Sequence, residues 1–179
     1  DWANQTENAF TQSDKVSISG GTFSSAVDKS LCADGYIPTQ NADGTYGVKE
    51  GKYVAEIGSQ GYESLQEAIG AAQDGQTVRL LADVTLDAQI ATGKAITIDG
   101  QSKYTIKAVK KLVSADNKAG MFYRTQSAKG TLTFLNVTLD GGGFSKIFLN
   151  EGGAGETVFD GVTSTNGGGI AYGSGIHRS

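Results

Sequence analysis

The chain has 179 residues, of which 26 are glycine and one is proline, and its formal net charge is −4. About twice the usual share of glycine, without proline, excludes collagen-like and proline-rich chains and indicates many tight turns. Hydrophobic residues make up 38% and charged residues 19%. This is enough apolar material for one core, and too little charge for a disordered chain.

The rare residue types and the charge distribution exclude several kinds of site and partner. The single cysteine, Cys32, and the single histidine, His177, exclude an internal disulfide and a zinc cluster built from this chain alone. We therefore expect no metal and no cofactor. The first 50 residues carry three lysines and seven acids, whereas residues 103–129 carry seven basic side chains and one acid. An acidic chain with no known binding motif is not expected to bind nucleic acid.

The first 50 residues are predicted to form a small unit of their own. Segment 16–23 alternates apolar and polar residues and is broken at Gly20-Gly21, as in a short strand. Segment 41–48 is typical of a turn that enters a second strand.

The next segment, 62–75, has the pattern of one amphipathic helix, which we expect over about residues 64–73. Its apolar residues recur at helical spacing: Leu65, Ala68, Ile69 and Ala72. Ser64 is available as the N-cap, with Glu67 three residues further on. We expect this helix to cap a solenoid that begins near residue 53 and occupies the rest of the chain, residues 51–179.

Short strands follow the helix, and they repeat. Segment 130–143 matches segment 155–168 without a gap at an offset of 25 residues, which places Phe134 on Phe159 and Thr138 on Thr163. Strands this short bury little surface alone, so they should stack. The pattern predicts an all-β fold, a short parallel β-helix with one capping helix. A sandwich of hairpins also uses short alternating strands and is the alternative that the repeat disfavours.

A basic insertion is predicted at about 107–130, because Ile98 and Leu139, taken as equivalent points on successive turns, lie about 16 residues further apart than one repeat. Insertions project from solenoids and often carry recognition. The residues expected to bind an acidic glycan or protein are Lys107, Lys110, Lys111, Lys118, Phe122, Tyr123, Arg124 and Lys129. The alternative is a solvated loop in which Met121 and Phe122 cover the core.

Three carboxylates are the weaker, catalytic candidates. Enzymes that cleave glycans use paired carboxylates on one exposed face, and Asp99 and Asp140 would lie within reach of each other if the repeats stack in register. Asp160 interrupts a third strand. Aspartate before glycine normally accepts hydrogen bonds from turn backbone, so we favour a structural role and predict a protein that is not an enzyme.

Several segments together resemble a known family, the pectate-lyase-like right-handed β-helix modules in secreted surface proteins of gut Firmicutes. The resemblance covers about residues 53–170 and is carried by Tyr53-Val-Ala-Glu-Ile-Gly58, Tyr62-Glu-Ser-Leu-Gln-Glu-Ala-Ile69, Asp74-Gly-Gln-Thr-Val-Arg-Leu-Leu-Ala-Asp-Val-Thr-Leu86 and Ala95-Ile-Thr-Ile-Asp-Gly100. Residues 1–50 resemble the segment that closes a preceding module, through Ile18-Ser-Gly-Gly-Thr-Phe-Ser24, Leu31-Cys-Ala-Asp-Gly-Tyr36 and Asn41-Ala-Asp-Gly-Thr-Tyr-Gly-Val48.

The resemblance implies a right-handed β-helix and an extracellular location on the bacterial cell surface, with export signal and anchor outside this segment. It implies an adhesin-like module that binds a host or dietary glycan, or a host protein such as immunoglobulin, without inserting into a membrane. A polysaccharide-degrading enzyme or its accessory domain, and a pure structural spacer, remain the alternatives.

Overall fold

The computed structural model describes residues 16–113, 118–144, 146–150, 155–167 and 176–178. The chain divides into two compact units, Asp1–Lys52 and Tyr53–Ser179. Gly168, which the repeat aligns with Gly143, and the side chain of His177 lie outside the described residues.

The first unit contains one antiparallel hairpin of strands β1 (Tyr36–Gln40) and β2 (Tyr46–Glu50). The turn between them is closed by the Thr45 N–H, which donates to the Asp43 carboxylate at 3.0 Å. This confirms the turn and strand predicted over 41–48. Segment 16–23, predicted as a strand, makes only isolated bridges, from Ile18 to Cys32 and from Phe23 to Tyr46.

The second unit begins with a hairpin and one helix. Strands β3 (Ala55–Ile57) and β4 (Gln60–Tyr62) pair antiparallel, and helix α1 (Leu65–Ala71) follows. The side chain of Ser64 accepts a hydrogen bond from the Glu67 N–H at 3.1 Å, so the predicted helix and N-cap are confirmed. No helix in the described residues is long and apolar enough to cross a membrane.

Beyond α1 the chain contributes strands in turn to three parallel sheets. The strands are β5 (Thr77–Leu80), β6 (Val84–Leu86), β7 (Ile90–Thr92), β8 (Thr97–Asp99), β9 (Thr105–Ala108), β10 (Phe122–Arg124), β11 (Thr131–Leu135), β12 (Thr138–Asp140), β13 (Phe148–Asn150), β14 (Glu156–Asp160), β15 (Thr163–Thr165) and β16 (Ile176–Arg178). The first sheet takes β5, β8, β11, β14 and β16, the second takes β6, β9, β12 and β15, and the third takes β7, β10 and β13. Strand β3 pairs antiparallel with β5, so the hairpin of β3 and β4 extends the first sheet at that edge. We call three consecutive strands, one in each sheet, a layer.

The register of the sheets matches the repeat in the sequence. Phe134 pairs with Phe159 in the first sheet and Thr138 pairs with Thr163 in the second, both at the predicted offset of 25 residues. Every described strand pair after β5 is parallel. The alternative sandwich of hairpins is therefore wrong, and the second unit is a mainly β structure of parallel sheets with one helix.

One core lies between the inward faces of the three sheets. Alternate residues of the strands from β5 to β14 are buried, as in Val78, Ile98 and Phe134 of the first sheet and Ile106 of the second. The ring of Phe134 lies 5.3 Å from the ring of Phe159 within its own sheet. It also lies 4.8 Å from Phe122 and 5.9 Å from Phe148, the rings of the third sheet. Aromatic packing therefore joins two sheets across three consecutive layers.

The insertion is shorter than predicted and lies within the predicted range. Ile98 pairs with Phe134 rather than with Leu139, which pairs with Ile106. The two residues used to estimate its length are therefore in different sheets, and the prediction of about 16 extra residues is wrong. The extra chain is segment 109–121 between β9 and β10, 13 residues long against three between β6 and β7.

Replacing Phe134 by Ala should lower the free energy of unfolding by about 3–5 kcal/mol, because it leaves a cavity at the centre of the aromatic cluster. Urea unfolding followed by circular dichroism measures the change. Phe144→Ala is the matched control: Phe144 is 56% exposed, and its loss should change stability by less than about 0.5 kcal/mol. Equal effects in the two variants would contradict the assigned core.

Candidate binding surface

The three candidate carboxylates do not form the predicted pair. Asp99 ends β8 in the first sheet and Asp140 ends β12 in the second. In the register of the first sheet Asp99 faces Leu135, which in turn faces Asp160. Asp99 and Asp160 are thus separated by one strand, about 10 Å at the usual strand spacing. The prediction that Asp99 and Asp140 lie within reach of each other is wrong, because the two residues occupy different sheets.

Asp140 has a structural role at the corner that follows the second sheet. Its Oδ1 accepts a hydrogen bond from the Gly142 N–H at 2.8 Å and another from the Asn166 amide at 3.0 Å. Its Oδ2 lies 3.5 Å from the Lys107 ammonium. The Gly142 bond is the largest cause that holds the pKa of Asp140 below the ordinary value, followed by the Asn166 bond, while Lys107 adds a smaller effect. The carboxylate is therefore held in the turn as an anion.

Asp99 likewise serves its own turn, since its carboxylate accepts a hydrogen bond from the Gln101 N–H at 2.8 Å. Asp160 is exposed. Among the described residues no group of three or more His, Cys, Asp or Glu side chains is placed to hold a metal ion.

The predicted basic residues separate into exposed and packed side chains. Lys110, Lys111 and Lys129 are exposed, and Lys107 is exposed on the outer face of β9. Lys118 is partly buried, and its ammonium lies 3.3 Å from the Tyr123 hydroxyl and 5.2 Å from the centre of that ring. The structure therefore brings Lys107, Lys110 and Lys111 together along one stretch of chain, while Lys118 and Tyr123 form a separate pair.

Two of the predicted contact residues cannot reach a ligand. Phe122 and Arg124 are both fully buried, because alternate residues of β10 point into the core and only Tyr123 points outward. Met121 is buried as well. Burial thus corrects the prediction for Phe122 and Arg124 and agrees with the alternative in which this part of the segment covers the core.

The buried guanidinium of Arg124 is held by backbone carbonyl groups. It donates to the carbonyls of Lys94, of Gly130 at 3.0 Å and of Lys129 at 3.4 Å. Burial lowers the pKa of Arg124, and the charge of Asp74 partly offsets this effect. In the described part of the chain its Nε makes no hydrogen bond. Arg124 therefore fixes the path of the chain between layers.

Two residues missing from the sequence prediction are the large apolar side chains that are exposed in the described chain. Val109 is 48% exposed and Phe144 is 56% exposed. Each lies in a connection from the second sheet to the third, in consecutive layers. The available signal was the large aromatic residue directly after the Gly141-Gly-Gly143 corner.

Comparisons with known proteins give no further assignment, since no family model, curated protein or solved structure matches the chain. The candidate surface therefore rests on the geometry of this chain.

Arg124→Glu should lower the free energy of unfolding by about 3–5 kcal/mol, because it places a buried carboxylate among carbonyl oxygens that now accept hydrogen bonds. Lys111→Glu makes the same change of charge at an exposed position and should cost less than about 0.5 kcal/mol. Thermal unfolding of the two variants provides the comparison. Equal stability of the two variants would show that Arg124 is accessible and can contact a ligand, as the sequence predicted.

Asp140 should make stability depend on pH. A pKa that folding lowers contributes stability above the unfolded value of about 3.9, and the contribution is lost as the pH falls through the folded value. Between about pH 5 and about pH 2.5, Asp140→Asn should therefore lose less unfolding free energy than the wild type. Identical pH profiles for Asp140→Asn and the wild type would refute this role of Asp140.

Proposed function

We propose that the second unit is a short right-handed parallel β-helix that acts as a non-enzymatic binding module of an exported bacterial surface protein. The cyclic order of strands through three parallel sheets supports the architecture, as does the repeat of 25 residues. Connections between parallel strands of one sheet are right-handed in nearly all proteins, which supports the handedness. The resemblance to surface modules of gut bacteria supports the location.

The observation that carries the binding function is the cluster of exposed lysines where segment 109–121 leaves β9. Lys107, Lys110 and Lys111 are exposed within five residues of chain, and no acid occurs between residues 100 and 113. Extra chain at one corner of a repeat structure commonly forms its binding face. The partner that fits this charge is an acidic glycan from the host or the diet, or a host protein with an acidic surface, such as immunoglobulin.

A glycan-cleaving enzyme has less support. Paired-carboxylate catalysis needs two carboxyl groups about 5–9.5 Å apart on one face. The Asp140 carboxylate accepts a hydrogen bond within its own turn, and Asp140 lies in a different sheet from Asp99. A structural spacer that binds nothing is the remaining alternative, and the experiment below separates the three.

The test passes the purified chain over immobilised mucin glycans, polygalacturonate and immunoglobulin G, and analyses the eluate for released oligosaccharides. Retention without cleavage is expected. Lys110→Glu/Lys111→Glu should reduce retention by about tenfold or more, because it reverses two charges on the surface. Lys49→Glu/Lys52→Glu makes the same change of net charge in the first unit and should leave retention unchanged.

Each other result contradicts the proposal in a different way. Released oligosaccharide would show a glycan-cleaving enzyme. No retention on any of the three supports would favour the spacer. Retention that the Lys110→Glu/Lys111→Glu variant keeps would leave a binding module but place its site elsewhere.

A further inference from the structure

An aromatic ring stands exposed beside the lysine cluster. We name the surface formed by Val109, Lys110, Lys111 and Phe144 the corner surface. Val109 directly follows β9, and its N–H donates to the Leu86 carbonyl at 3.1 Å in the preceding layer. Phe144 lies in the corresponding connection of the next layer, after β12. The two exposed large apolar side chains of the described residues therefore share one corner with exposed lysines.

The backbone of Phe144 lies in an ordered turn. The Phe144 N–H donates to the Gly141 carbonyl at 3.0 Å, and the Gly143 N–H donates to the Asn166 carbonyl at 2.8 Å. Gly142 has a φ of +62°, and a Cβ at this position would overlap the Ala108 carbonyl oxygen and lie 2.9 Å from the Phe144 ring. The ring therefore lies over a bare glycine, next to the end of β9. A ring on an ordered backbone loses less entropy when a ligand covers it than one on a flexible loop.

The charge around the ring is mainly positive. Lys110 and Lys111 are exposed, and Lys107 is paired with Asp140, whose negative charge is already balanced by that lysine and two N–H donors. One exposed acid, Asp87, lies in the corresponding connection of the preceding layer, between β6 and β7. The corner surface thus carries two exposed lysines in the connection that starts beside the Phe144 ring, and this charge favours an anionic ligand.

The size and composition of the corner surface favour a saccharide over a protein. A stable protein interface buries about 800 Å² on each partner around a desolvated apolar centre, whereas this surface has one ring and one valine. A pyranose has an apolar C–H face, and polarised C–H groups are attracted to the negative face of an aromatic ring. An acidic sugar combines that face with a carboxylate or sulfate that pairs with lysine.

We propose that the corner surface is a subsite for an acidic saccharide, in which a sugar ring stacks on Phe144 and its carboxylate or sulfate pairs with Lys110 and Lys111. This inference rests on the proposed binding function and specifies its ligand class and its central residue.

The test measures the affinity of the full chain, by calorimetry, for a galacturonate oligosaccharide, for its carboxyl-reduced uncharged counterpart and for a heparin-derived sulfated oligosaccharide. We expect binding to one or both charged ligands, at least about tenfold weaker binding to the reduced one, and affinity that falls with added salt. Comparison of the two charged ligands shows whether carboxylate or sulfate is preferred. Phe144→Ala should weaken binding about tenfold, and Phe144→Trp, which keeps an aromatic face, should stay within about threefold of the wild type.

Because Phe144 is exposed, Phe144→Ala should fold normally, and its unfolding curve serves as the control. Unchanged affinity of a folded Phe144→Ala variant for an acidic saccharide would overturn this subsite and leave the binding function intact. Equal affinity for the reduced ligand would overturn the acidic class. Retention on immunoglobulin alone would replace the saccharide by a protein. Absence of binding to every glycan and to immunoglobulin would overturn the proposed function and this inference together.

Discussion

The structure of the second unit depends on parallel pairing of strands whose alternate side chains point into one shared core. Each strand is three to five residues long, and the strands whose burial is described bury at most two side chains each, so a single strand has little stability alone. Hydrogen bonds to the strand of the next layer fix the register, and a shift by one residue would turn Ile98 or Phe134 outward. The Phe134 ring, in contact with rings from two sheets, links this register to the packing of the core.

The same constraint explains what the sequence predicted well. Residues at equivalent positions of two adjacent layers meet the same surroundings, so Phe134 and Phe159, or Thr138 and Thr163, are of the same type and pair in the structure. Helix α1 was predictable because its cap and its buried face are local: Ser64 and Glu67 are three residues apart. Where one layer copies another, or where a structure is made by near neighbours, the pattern is sufficient.

The site was less predictable because it depends on the connections between strands. Ile98 and Leu139 both belong to alternating strands, and alternation does not distinguish one sheet from another. The run of basic residues predicts one continuous loop. Strand β10 lies within this run, however, and its residues Phe122 and Arg124 are buried in the core. The burial of Arg124 has no distinct sequence signal, because alternation does not reveal that the carbonyl groups of Lys94, Lys129 and Gly130 surround its guanidinium. Phe144 stands out only once the glycine turn that holds it outward is known.

One lysine ties the helix to the layers beside it. The Lys94 ammonium donates to the carbonyls of Ile69 at 2.8 Å and of Ala72 at 2.6 Å, next to the C-terminal end of α1, while the Lys94 carbonyl accepts from buried Arg124. The helix is too short to persist without such support. Because Lys94 binds both the C-terminal end of α1 and Arg124 of β10, the end of the helix and the turn that contains Lys94 should unfold together. In hydrogen exchange they would then behave as a single cooperative unit instead of a fraying end.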